Sequence, residues 1–242
     1  MKINVCIPTY NRFEMAAKAI VSILNQKYDD LLIFVYVNGS RATYENLAEI
    51  ILETNPRINY LFSAERIGWV RAQNEVASFT EDGLFYGADD IVLEADCLKV
   101  AVREMEEHFP DGDGLVGVNQ INFEQAGLPL WPGAFGLVGQ KFLLRFPERK
   151  LFCEDYLDHY SDVELVQYAE SIGKFHFAKD AWVTHYHPMV TKEMDETATL
   201  VSKTHNAMWS RHVMRKAYGY LWGKNFGRVF KAPDEILAER TR

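Results

Sequence analysis

Leu84-Phe85-Tyr86-Gly87-Ala88-Asp89-Asp90-Ile91 is the stretch from which the rest of the chain is read. Its apolar beginning predicts a short buried strand. Two carboxylates at the end of such a strand can hold a divalent cation against a diphosphate, because Mg²⁺ and Mn²⁺ prefer oxygen ligands and share them with substrate phosphates. Alone the pair carries little weight, since Asp is also a routine loop and helix-entry residue. A helix is expected soon after it. The order of features around the pair gives it meaning, starting with Ile3-Asn4-Val5-Cys6-Ile7-Pro8-Thr9-Tyr10-Asn11-Arg12.

Short β-rich runs alternate with helical stretches through the first half. Strands are expected at Ile3–Ile7, Leu31–Val37, Ile58–Phe62, Gly83–Tyr86 and Leu115–Val118, and helices at Phe13–Asn25, Thr43–Thr54, Val70–Phe79 and Glu94–His108. This alternation predicts an α/β fold, a mostly parallel sheet flanked by helices. Ligands of such sheets collect at the carboxyl ends of the strands. Pro8-Thr9-Tyr10, Asn38-Gly39-Ser40 and Asp89-Asp90 all fall at such ends, so three separate loops converge on one edge.

The second half differs. Gln125 to Phe152 is rich in Gly, Pro and aromatics and is expected to be loop. Ser161–Ile172 reads as a helix with Ser161 and Glu164 as a capping box. A strand pair is expected at Phe175–Ala178 and Trp182–Tyr186, then a helical, aromatic region over Thr199–Phe230.

With 242 residues, 48% hydrophobic and 25% charged, the chain is of ordinary globular composition and long enough for one large domain. The first residues read as a core strand and not as a leader, and no apolar run reaches the length of a bilayer crossing. Three cysteines, Cys6, Cys97 and Cys153, lack metal spacing and predict reduced thiols in the cytoplasm. From Ser202 to Arg242 there are nine Lys/Arg against three Asp/Glu, while the whole chain carries −8. A basic tail on an acidic body suits an anionic surface or polymer, and equally a solvated tail.

Taken in order, these motifs resemble family 2 glycosyltransferases of the GT-A, Rossmann-like fold. The resemblance covers residues 1–190, with 191–242 a helical, basic extension packed on or beside that domain. Ile7-Pro8-Thr9-Tyr10-Asn11-Arg12 matches the family's opening, and Asn38-Gly39-Ser40 sits where Asp-Asp-Gly-Ser is typical. Glu65-Arg66-Ile67-Gly68 with Asn74 resembles the segment after the third strand, and Gly87-Ala88-Asp89-Asp90 the Asp-x-Asp-Asp metal motif. Tyr160-Ser161-Asp162-Val163-Glu164-Leu165 and His185-Tyr186-His187 resemble the catalytic-base helix and a later histidine. Gly87 replaces the carboxylate assigned to the ribose, Asn38 replaces the Asp that reads the nucleobase, and Ser161 replaces a Glu.

The resemblance implies an inverting, metal-dependent transfer from a nucleotide sugar, UDP-linked, to a hydroxyl acceptor such as a surface glycan or lipid-linked oligosaccharide. Asp162 is then the general base, although an Asp in a first helical turn also serves the helix dipole; Glu154 and Asp155 are fallbacks. Asp89, Asp90 and either His185 or His187 would hold Mn²⁺ or Mg²⁺. Two histidines two apart on a strand share a face, and an imidazole suits Mn²⁺ better. Pro8, Thr9, Tyr10, Arg12, Asn38, Arg66, Gly68, Arg71, Asn74, Ala88 and Asp89 are the nucleotide-sugar candidates. The Asn38 amide carbonyl is expected to accept from uracil N3–H. Tyr10 reads equally as a core aromatic and Arg71 as a surface charge. Trp131 is the acceptor candidate, or a packed core Trp. Other acceptors are hydroxymethylated DNA and protein, and the different class is a non-catalytic sugar-nucleotide or glycan-binding module. A nucleotidyltransferase would need a Gly-rich phosphate loop where Pro8-Thr9-Tyr10-Asn11 stands. Membrane contact through the tail and a homodimer complete the expected partners.

Overall fold

The computed structural model describes residues 1–39, 41–47, 55–128 and 131–217. At its centre is β1 (Ile3–Thr9), buried along its whole length. It pairs in parallel with β2 (Leu31–Asn38) on one side and β4 (Gly83–Tyr86) on the other, so Ile3 faces Leu31 and Gly83. A strand with parallel neighbours and helices on both faces has no solvent side, which is why Ile-Asn-Val-Cys-Ile reads as an almost unbroken apolar run. β3 (Ile58–Ser63) extends the sheet beyond β2.

Helix α1 (Phe13–Leu24) buries Ala16, Ala19, Ile20 and Ile23, one face at helical spacing. Helix α2 spans Arg41–Leu47, and the remainder of the helix expected to Thr54 lies outside the described residues. Helix α3 (Gly68–Phe79) buries Val70, Ala72, Gln73, Asn74, Val76 and Ala77. Each wholly buried Ile or Phe along β1, β2 and β4 contributes about 2 kcal/mol of transfer free energy.

Beyond β4 the sheet becomes mixed. The complete order is β3-β2-β1-β4-β7-β6-β8-β5, where β5 is Ile91–Leu93, β6 Leu115–Gln120, β7 Gly136–Val138 and β8 Phe175–His185. β7 runs antiparallel to β4 and β6, β8 runs parallel to β6, and β5 runs antiparallel to β8. Successive strands leave β1 in opposite directions, so a crevice opens over its carboxyl end.

Several sequence expectations are corrected. A strand, β5, follows Asp90 directly, and helix α4 begins only at Cys97 and runs to His108. The expected loop from Gln125 to Phe152 contains β7, a short helix α6 (Gln140–Leu143) and a 3₁₀ turn at Pro147–Arg149. The expected strand pair is one strand, β8, with a bulge at Lys179–Ala181 where Val118 faces Ala178 but Asn119 faces Trp182. There is no capping box: Tyr160, left-handed at φ 71°, is the N-cap of α7 (Ser161–Ser171), Ser161 lies inside the helix, and its hydroxyl makes no hydrogen bond. Short helices α5 (Ile121–Gln125) and α8 (Pro188–Thr191) follow β6 and β8.

The last described helix, α9 (Glu196–Ala217), lies against the 156–160 loop. Tyr156 Oη meets His212 Nδ1 at 3.2 Å and Tyr160 Oη meets His205 Nε2 at 3.0 Å. Residues 218–242, with Trp222, Phe226, Phe230 and most of the basic tail, lie outside the described residues. Among the described residues no helix is long and apolar enough to cross a membrane. All three cysteines are buried, and none is in a disulfide.

Candidate active site

The loops after β1, β2 and β4 and the end of β8 surround a cavity of about 770 Å³. At its floor are Asp89 and Asp90, 6% and 9% exposed. Side-by-side buried carboxylates demand positive charge, and Arg12 supplies it. Its Nη1 is 3.2 Å from Asp89 Oδ1 and 3.4 Å from Asp90 Oδ2, while Nε and Nη2 bond Asp195 at 2.7 and 2.9 Å. Burial, then the charge of Asp90, pushes the Asp89 pKa up. Burial opposes ionisation of Asp90 as well, but His185 and Arg12 outweigh it and hold Asp90 below the ordinary carboxylate range. One member of the pair thus takes the negative charge readily and the other reluctantly.

The β5–β8 pairing builds the other half of this floor. Ile91 faces His185, and Tyr186 N donates to Asp90 O at 2.8 Å. His185 is buried and its backbone is gripped from both ends by the Asn122 side chain, at 2.6 and 3.1 Å. Its Nδ1 donates to Gln120 Oε1 at 2.7 Å, since a carbonyl oxygen only accepts. Its Nε2 faces Asp90 Oδ1, 3.5 Å away. His187 has the opposite assignment. Its Nδ1 accepts from Met189 N at 3.2 Å, and burial, then His185, lowers its pKa to about 4, so the neutral ring carries its proton on Nε2.

These groups fit a divalent cation. Asp90 Oδ1 and Thr9 Oγ1 are buried without a hydrogen bond, and both residues line the cavity. A histidine that gives one ring N–H to a carbonyl and turns the other nitrogen to a carboxylate in the cavity has an arrangement usual for metal-binding imidazoles.

Asp162, the second residue of α7, reaches the same cavity. Burial raises its pKa to about 6, with the backbone N–H groups of Val163 and Asp162 pulling in the other direction. Such a carboxylate is ionised at neutral pH yet basic enough to receive a proton. Neither fallback shares this position: Glu154 binds Asn74 Nδ2 at 3.2 Å, Asp155 is exposed, and both lie off the cavity wall.

Pro8, Thr9, Tyr10, Arg12, Asn38, Arg66, Gly68, Ala88 and Asp89 line the cavity, as do Asp90, His185, His187 and Trp131. Arg66 is oriented by Asp158 at 2.7 Å and lies over the Tyr10 ring at 5.6 Å. Tyr10 is thus a partly exposed wall residue. Asn38 Oδ1 accepts from Ile67 N at 3.1 Å, which orients the amide and uses one of the two lone pairs of its carbonyl oxygen. Gly68 is needed for its backbone: φ is 83°, and a Cβ there would fall 2.8 Å from Leu157 O. Trp131 is half exposed and is no core Trp.

Two nucleotide candidates sit elsewhere. Asn74 is buried and exchanges hydrogen bonds with the Phe152 backbone, 2.8 Å each way. Arg71 is exposed beside Glu154. Neither lines the cavity. Position 87 faces the core, where a Cβ would come within 2.8 Å of Ile7 Cδ1, and the Gly87 carbonyl accepts from Trp69 Nε1 and Gln73 Nε2. Gln120, Asn122, Asp158 and Asp195 were not anticipated. Each acts on a partner far away in sequence, and no motif marks it.

A doubly wound α/β sheet with a carboxylate pair at the carboxyl edge defines the broad class, an α/β nucleotide-site enzyme. The chain belongs to glycosyl transferase family 2, whose profile matches residues 4–150. It is 25% identical over 198 residues to the GalNAc(5)-diNAcBac-PP-undecaprenol beta-1,3-glucosyltransferase of Campylobacter jejuni, a match covering 73% of this chain and 63% of that protein. Among solved structures it is similar to the mannosyltransferase PcManGT of Pyrobaculum calidifontis in complex with GDP-Man and Mn²⁺, with a TM-score of 0.64, 19% identity, and coverage of 77% of this chain and 57% of that one. It is also similar to S. aureus TarS 1–349, with a TM-score of 0.59, 15% identity, and coverage of 78% and 61%. The shared fold is GT-A, and the chain spans somewhat less than two thirds of each of these relatives.

Proposed function

We propose that this glycosyltransferase inverts the sugar of a nucleoside-diphosphate donor while transferring it to a hydroxyl of a lipid-linked oligosaccharide. The observation that carries this reading is that Asp162 and the Asp89–Asp90–His185 group line one cavity. Pro8, Tyr10, Asn38 and Arg66 hold the nucleotide, and Asp89, Asp90 and His185 Nε2 hold the cation. The cation, when bound, neutralises the charge of the departing diphosphate. Asp162 takes the acceptor's proton as its oxygen bonds the anomeric carbon and the bond to the diphosphate breaks. His187 offers its Nε2–H to a phosphate oxygen.

The acceptor assignment draws on the Campylobacter relative, which acts on an undecaprenol-linked glycan by its name. Exposed Trp131, Met189 and Met194 on the cavity wall suit a sugar face and an apolar chain. Three cysteines outside any disulfide support a cytoplasmic setting. Thermal-shift measurements with nucleoside diphosphates and nucleotide sugars, with and without Mn²⁺, test the reading. A nucleotide that stabilises the protein only with Mn²⁺, and not in Asp89→Ala, supports it; no shift with any nucleotide overturns it.

A further inference from the structure

Glu104, His108 and His176 form a second cluster, independent of the cavity and of the function proposed for it. Glu104 and His108 are one turn apart on α4, and His176 is the second residue of β8. Their ligand atoms all lie within 4.8 Å of one another. Glu104 Oε2 is the meeting point, 3.0 Å from His176 Nε2 and 3.5 Å from His108 Nε2. The two imidazoles lie nearly parallel, with centroids 3.6 Å apart and planes at 19°, so both Nε2 atoms are brought to the same carboxylate oxygen. Arg103 occupies the other oxygen, Oε1, at 2.7 Å. That bond fixes the carboxylate and leaves Oε2 to the histidines.

We propose that this cluster is a transition-metal site, taking Zn²⁺ through His108 Nε2, His176 Nε2 and Glu104 Oε2 with water in the fourth position. Bonds of the usual Zn–N and Zn–O lengths give a tetrahedron with edges of about 3.4 Å. The two Glu104 distances already bracket that edge, and binding requires the imidazoles to turn out of their stack so that both Nε2 lone pairs meet at the ion. Two imidazoles with one carboxylate select Zn²⁺, Co²⁺ or Ni²⁺ over Mg²⁺ or Ca²⁺, which want oxygen. Glu107 and Asp180 are near enough to act on Arg103 electrostatically, so the surrounding charge is negative even with the guanidinium present. The site joins α4 to the start of β8. His185 stands nine residues further along the strand, and none of Glu104, His108 and His176 lines the cavity. The metal is therefore a staple between helix and sheet and takes no part in transfer.

The test uses the full chain, stripped with EDTA and titrated with Zn²⁺ by calorimetry and with Co²⁺ by visible absorption. Wild type and His185→Gln are expected to bind one Zn²⁺ here, to show a tetrahedral Co²⁺ spectrum, and to melt at a higher temperature with Zn²⁺. His108→Ala, His176→Ala and Glu104→Gln should each weaken Zn²⁺ at least tenfold and lose the melting shift. His108 is an exposed helix residue, so His108→Ala keeps the test valid if His176→Ala does not fold. Transfer activity of His108→Ala should equal wild type. Unchanged Zn²⁺ affinity in His108→Ala, or no saturable binding by His185→Gln, overturns the proposal.

Discussion

Arg12 and Asp195, 183 residues apart, are joined by two hydrogen bonds of 2.7 and 2.9 Å, and the same guanidinium reaches Asp89 at 3.2 Å. The segment after β8 is thus tied to the carboxylate pair through one side chain. Thr197 adds a second tie, donating to Tyr10 O at 2.8 Å. Arg12 therefore neutralises the floor and anchors the 188–198 segment at once.

Arg12→Gln should lower the metal-free melting temperature strongly, because removing one partner of a buried charge group costs about 3–5 kcal/mol. Mn²⁺ should restore more of that loss in Arg12→Gln than it adds to wild type, since the carboxylates then lack any other cation. Differential scanning fluorimetry over a Mn²⁺ series reads both effects. An equal Mn²⁺ shift in the two proteins would show that Arg12 does not offset the carboxylate charge.

Asp162→Asn separates activity from stability. Loss of a general base should reduce turnover by roughly 10²–10⁴ while leaving nucleotide binding intact. Wild-type turnover should fall with unit slope below pH about 6, where Asp162 becomes protonated. Its folded pKa lies above the unfolded value, so its stabilising contribution is full below the unfolded pKa and is lost as pH rises through about 6. Asp162→Asn should therefore be the more stable protein at pH 8, by at most roughly 3 kcal/mol. Denaturant melts at pH 5 and pH 8 check the sign.

The two histidines at the floor should behave differently. His185→Ala should abolish Mn²⁺ binding, measured by loss of the free-Mn²⁺ paramagnetic signal, whereas His187→Ala should retain it. Gln120→Ala, which frees His185 Nδ1, should weaken Mn²⁺ by about 10–100-fold. Equal losses in His185→Ala and His187→Ala would overturn the assignment of Nε2.

Asn74→Ala is expected to be a folding defect and not a binding one. It strips hydrogen bonds from Phe152 N and O, and each buried orphan costs about 1–3 kcal/mol. The nucleotide's dissociation constant, measured below the melting range, should stay within error of wild type. A tenfold weaker nucleotide with unchanged stability would reverse that reading.

The first four parallel strands were legible because each is a short, mostly apolar, β-rich stretch separated from the next by a helix-length segment. Their ends brought Pro8, Asn38 and Asp89 together before any coordinates were needed. β5 and β7 were not legible, since three residues give no periodicity to count. The bulge in β8 hid one strand as two. At the site, the order of the motifs and the family resemblance they carry singled out Asp89, Asp90 and Asp162 and left the choice between His185 and His187 open. Gln120, Asn122 and Asp195 are ordinary polar residues whose partners lie 65, 63 and 183 positions away, so only the closed sheet identifies them. Asn74 sits nearly two turns beyond Gly68, which lines the cavity, yet its own side of α3 faces the Phe152 loop.

The antiparallel register that sets Ile91 against His185 also dates the site in time. Asp90 and His185 are separated by 95 residues and become neighbours only when β8 has docked on β5. Contacts of such long separation form late, because the loop they close is entropically expensive. A one-residue slip of β8 would turn His185 to the opposite face of the sheet. Capture of Mn²⁺ during refolding should consequently lag the far-ultraviolet signal, making the cation a reporter of correct closure.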